Sequence, residues 1–103
     1  MSELSYPHWS ISVGVFLDTK TFGTMRVWEI VDTGMRAIAG EWEWDGGTGF
    51  GARDMGWYFE HREQAYALKE RFERSSLPLE GIKILCWPSA EEDPQVEYEW
   101  RAS

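Results

Sequence analysis

The sequence predicts a single two-layer α+β domain over residues 1–103. The expected architecture is a mostly antiparallel sheet of five to six strands with one amphipathic helix packed on one face, in the order β-β-β-β-α-β-β. Three observations predict it. Short stretches of alternating apolar and polar residues recur along the chain, the mark of half-buried strands. Only Glu60 to Arg74 carries a sustained helical stripe, with Ala65, Leu68 and Phe72 at i, i+3 and i+7 and His61 extending it backward. A single helix beside several strands is stable only when layered on their sheet.

Ser10 to Leu17 alternates, with Ile11, Val13, Val15 and Leu17 on one side and Ser10, Ser12 and Gly14 on the other, so it reads as a first strand. Thr24 to Val31 is rich in β-branched and aromatic residues and reads as a second strand, hairpinned to the first. Asp32-Thr33-Gly34 signals a turn. Met35 to Trp44 reads as a third strand, although Met35 to Ala39 also suits one helical turn because Met and Ala favour helix. A glycine-rich loop follows at 45–56, and Met55 to Phe59 forms a fourth strand. After the helix, Pro78 blocks its continuation. Gly81 to Trp87, partly apolar on both sides, reads as a central strand. An acidic loop at 88–95 leads to a last short edge strand containing Val96, Tyr98 and Trp100. The segment from Met55 through the helix to Trp87 suggests one crossover, right-handed by the usual rule.

Composition narrows the function classes. The 103 residues include 18 acids against 10 Lys and Arg, for a net charge of −8. Contact with nucleic-acid backbone or with an anionic membrane needs clustered positive charge, so neither is expected as a direct partner. The lone Cys86 excludes an intrachain disulfide and fits a reducing compartment. No signal peptide or membrane span is recognisable, so a cytoplasmic protein is expected.

No motif carries chemistry. Gly46-Gly47-Thr48-Gly49-Phe50-Gly51 lacks the Lys-Ser/Thr ending and the following helix of a phosphate cradle. His61-Arg62-Glu63 lacks the paired cysteines that complete a deaminase zinc site. Cys86 shares a side with Ile82 and Ile84, as a small buried hydrophobe would. The expectation is no catalytic residue, no metal and no cofactor.

What remains is surface chemistry. In Glu41-Trp42-Glu43-Trp44-Asp45, strand parity puts the tryptophans on one side and the acids on the other. Glu97-Tyr98-Glu99-Trp100 repeats the pattern. Trp28, Trp42, Trp44 and Trp57 are expected in the core, while Trp9, Trp87 and Trp100 lie near element ends. The expected function is a non-enzymatic protein-interaction module that binds a basic partner surface. Its sharpest form is a small acidic inhibitor of phage type, a nucleic-acid mimic filling the nucleic-acid site of a host protein. The candidate partner-binding residues are Glu41, Glu43, Asp45, Glu97, Glu99, Phe50, Arg53 and Trp100. Alternatives are a small-molecule or peptide site between the glycine loop and the aromatic sheet face, and an enzyme using carboxylate acid/base chemistry. The chain is expected to be a monomer, or a homodimer paired through its last strand, which Glu97 and Glu99 would discourage.

Overall fold

The computed structural model describes residues 5–17, 27–40, 45–49 and 52–102. Its elements are β1 (His8–Phe16), α1 (Val27–Ala39), β2 (Asp45–Gly49), β3 (Ala52–Phe59), α2 (Arg62–Glu73), β4 (Leu79–Trp87) and β5 (Gln95–Arg101). The fold is α+β, and every described strand pairing is antiparallel. Four strands, in the order β3-β1-β4-β5, form the body of the sheet, and the short β2 pairs along the outer edge of β3.

Two helices replace the single one expected, and the order is β-α-β-β-α-β-β. The second strand expected at Thr24 to Val31 is the main correction. From Val27 onward the chain is helical and continues to Ala39, through the expected turn at Asp32-Thr33-Gly34 and the start of the expected third strand. The physical reason lies in spacing. Val31, Met35 and Ile38 recur at helical intervals; Val31 and Met35 are fully buried, and Ile38 packs against them. Asp32 and Arg36 add an i, i+4 ion pair with a 2.8 Å contact. Composition favoured strand, but burying one stripe against the sheet outweighs the small intrinsic preferences. Gly40, at φ 88°, ends α1 in the left-handed conformation that glycine adopts without strain. Its N–H donates to the Arg36 carbonyl at 2.6 Å.

The glycine-rich stretch is corrected too. Asp45–Gly49 and Ala52–Phe59 pair in a hairpin, with Gly49 opposite Ala52 and Asp45 opposite Gly56. The expected fourth strand therefore begins earlier, at Ala52. Residues 41–44, which carry Glu41, Trp42, Glu43 and Trp44, lie outside the described residues, as does Phe50.

The helix expected at Glu60 to Arg74 is present as α2, with Ala65, Leu68 and Phe72 buried. His61 does not extend that stripe: it is exposed at the helix start, where its N–H donates to Gln64 Oε1 at 3.0 Å. The expected crossover is also present. β3 leads through α2 to β4, and β1 lies between these two mutually parallel strands. The first six elements thus follow the β-α-β-β-α-β split arrangement of ferredoxin-like sheets, a scaffold that hosts many unrelated functions.

Both helices contribute to one core. Val31 and Met35 of α1 and Ala65, Leu68 and Phe72 of α2 pack on Ile11, Val13 and Val15 of β1, Met55 and Trp57 of β3, and Ile82 and Ile84 of β4. Cross-strand partners share a face, so register places Trp57 beside Ile11 and Met55 beside Val13 on the covered side. Trp57 and Phe72 rings meet at 5.6 Å. Trp57 is buried as expected, while the Trp28 side chain lies outside the described residues. Cys86 lies on the covered side and is half-buried; burial, then the charge of Glu97, pushes its thiol up. No described helix is long and apolar enough to cross a membrane.

Candidate functional site

With both helices on one side, the described elements leave the other face of the sheet bare. Register assigns Ser10, Ser12, Gly14 and Phe16 of β1 to it, with Asp54, Gly56 and Tyr58 of β3, Gly81, Lys83, Leu85 and Trp87 of β4, and Glu99 and Arg101 of β5. These are the residues that alternate with the core positions.

One end of this face is aromatic. His8 is buried beneath Tyr6, Tyr58 and Trp87: its ring lies 5.3 Å from Tyr58 edge-on and 6.0 Å from Trp87 in a stack. Trp87 Nε1 donates to Ser10 Oγ at 2.9 Å, which satisfies the indole and orients it. Tyr6 remains half exposed at the rim.

The other end is charged and hollow. A depression of about 160 Å³ is bordered by Gly14, Asp54, Glu80, Lys83, Glu99 and Arg101 among others. Gly14 forms its floor. A Cβ there would lie 2.6 Å from both Asp54 Oδ1 and Glu80 Oε2, so the two carboxylates converge over the glycine and their separation is at most twice that distance. At such a spacing two unit charges repel by roughly 1 kcal/mol even in water. A bulge in β4 beside Gly14 and Val15 brings Glu80 to this position. Gly81 lets β5 come close, since a Cβ there would sit 3.0 Å from the Trp100 carbonyl oxygen. Among the described residues no cation pairs with Asp54 or Glu80. The nearby cations Lys83 and Arg101 both lean on Glu99, at 3.6 and 3.8 Å.

The residues singled out from sequence fare differently. Arg53, a candidate partner-binding residue, falls within the expected glycine-rich loop at 45–56. It lies on β3, where Nε and Nη2 donate to Asp32 Oδ1 at 3.0 and 2.7 Å, and Nη1 donates to the Asp54 carbonyl. It is a tether between β3 and α1. Burial pushes the Asp32 carboxyl up, but hydrogen bonds from Arg36 and Arg53 outweigh this and hold it below its ordinary 3.8. Glu97 also turns inward. It accepts Trp9 Nε1 at 3.1 Å, Arg62 Nε at 2.9 Å and the Tyr66 hydroxyl at 3.3 Å, joining β5, β1 and α2. The Arg62 guanidinium meanwhile sits 4.3 Å over the Tyr66 ring. Glu99 and Trp100 are exposed on β5, and Asp45 begins β2. Glu41, Glu43 and Phe50 lie outside the described residues.

Asp54, Glu80 and Gly14 were missed. Each is unremarkable in its own segment, and only the register of three strands brings them together. Among the described residues no group of three or more His, Cys, Asp or Glu is arranged to hold a metal ion. No protein-family model, curated protein or solved structure matches this chain.

Proposed function

We propose that the protein is a non-enzymatic interaction module whose bare sheet face binds a basic surface of a partner protein. The observation that supports this reading is the pair Asp54 and Glu80, converging over Gly14 without a described counter-charge. An arginine or lysine head from a partner would relieve their repulsion and complete the charge pattern, while Tyr6 and Trp87 at the other end of the face would give apolar contact. The depression is small beside the roughly 300–1,000 Å³ of sites that enclose a whole ligand, which favours a protruding side chain over a free small molecule.

The narrower idea of a nucleic-acid mimic needs rows of outward carboxylates. Glu97 is spent on internal contacts and Glu99 is flanked by the cations Lys83 and Arg101, so no row of bare carboxylates forms and the broader reading is the one we put forward. The test is partner capture with wild-type protein and with the Asp54→Asn/Glu80→Gln double variant, at low and high salt. Binding that weakens with salt and is lost in the folded variant supports the proposal. A partner held equally by both proteins would sink it.

A further inference from the structure

The outer edge of β5 is a second candidate surface, adjoining the bare face, whose depression Glu99 and Arg101 also border. β5 is a seven-residue strand at the end of the sheet, without proline, and it is exposed along its length except at Tyr98. No other described strand pairs with its outer side. Such an edge is a template for another strand unless charges or distortions blunt it. The two acids that would be expected to blunt it are not placed to do so. Glu97 turns toward Arg62, Trp9 and Tyr66, and Glu99 stands on the bare face beside Lys83 and Arg101.

Backbone geometry narrows what can pair there. The Ala102 N–H donates inward to the Glu80 carbonyl at 2.9 Å. Alternate residues of a strand point their amides the same way, so Trp100 and Tyr98 also bond toward β4, while Glu99 and Arg101 present N–H and C=O outward. An antiparallel copy of β5 must therefore set these outward residues opposite one another. Centring the pair on Glu99 opposes two glutamates, and centring it on Arg101 opposes two arginines. Centring it on Tyr98 sets the bulged Glu97 against Glu99. Only the register centred on Trp100 sets Glu99 opposite Arg101 of the second copy, twice over.

We propose that β5 pairs antiparallel with β5 of a second copy of this chain, about a two-fold axis at Trp100, with reciprocal Glu99–Arg101 pairs. The contact is isologous, as two-fold dimers require. Trp100, 40% exposed in the single chain, meets its own copy at the axis, on the side of the sheet that carries Tyr98 and α2. The result is one sheet running continuously through two molecules. The net charge of −8 on each copy opposes association and keeps the dimer weak.

The experiment is sedimentation equilibrium over a concentration series, with circular dichroism to show that each protein is folded. Wild-type protein should dimerise reversibly. Glu99→Arg and Arg101→Glu each replace both complementary pairs by like-charge pairs and should raise the dimer dissociation constant roughly tenfold or more. Mixing the two single variants restores both pairs and should recover wild-type affinity as a heterodimer, and the double exchange should recover the homodimer. A wild-type protein that stays monomeric at the highest concentration reached would overturn the proposal. So would single variants that dimerise as well as wild type, or a mixture that fails to recover.

Discussion

The carboxylates on the two sides of the sheet differ in how their charge is balanced. On the covered side, Asp32 accepts from Arg36 and Arg53, and Glu97 accepts from Trp9, Arg62 and Tyr66. Each joins elements distant in sequence. On the bare side, Asp54 and Glu80 face each other over Gly14 with no described cation between them. The first pair of acids strengthens the monomer, and the second pair costs it a little. On the function proposed above, the unbalanced pair is where a partner would gain most by binding, and the variants below are chosen to tell the two sides apart.

The largest effect should come from the covered side. Phe72→Ala empties a fully buried site against Trp57 and should cost about 3–5 kcal/mol in chemical denaturation. A much smaller loss would show that α2 is not seated on the sheet as described. Next, Asp32→Ala removes the carboxylate to which Nε and Nη2 of Arg53 donate, at a side chain only 12% exposed, and should cost roughly 1.5–3 kcal/mol. Because the Asp32 pKa is depressed in the fold, its contribution is complete above the ordinary 3.8 and is lost as pH falls through the lower folded value. Asp32→Asn should therefore flatten the acid limb of the stability–pH curve, and an unchanged limb would count against the tether.

Glu97→Gln should have a more modest effect, because Arg62 is largely exposed and exposed ion pairs contribute little; only a slight lowering of the midpoint in thermal or urea melts is expected. The smallest effect should carry the opposite sign. Asp54→Asn with Glu80→Gln relieves repulsion and should leave stability unchanged or raise it by up to roughly 1 kcal/mol. If this variant were clearly destabilised, the two sides would not differ as described. Gly14→Ala sharpens the same point: its Cβ overlaps only the carboxylate oxygens of Asp54 and Glu80, with the Glu80 Cβ at an ordinary 3.5 Å, so the fold should persist while the carboxylates are driven apart and the proposed partner binding falls.

Much of the fold was legible because strand parity and helix periodicity are local. The covered side of β1 and the stripe of α2 follow from alternation and from spacings of three and four residues. The strand expected at Thr24 to Val31 rests on the strand-like composition of Val27, Trp28, Ile30 and Val31, while the 3.6-residue spacing of Val31, Met35 and Ile38 runs across the turn-like Asp32-Thr33-Gly34. There the burial of one apolar stripe, a tertiary contact, outweighs local preference.

By itself the sequence determined the α+β class, the edge position of the last strand, the two sides of β1 and an excess of acid over base. Which acids are spent and which are available was decided only in three dimensions. Asp32 meets Arg53 across 21 residues and Glu97 meets Arg62 across 35, while Asp54 and Glu80 converge through their separate pairings with β1. The charge of each side chain is a local property, but its partner is set by strand register and helix docking.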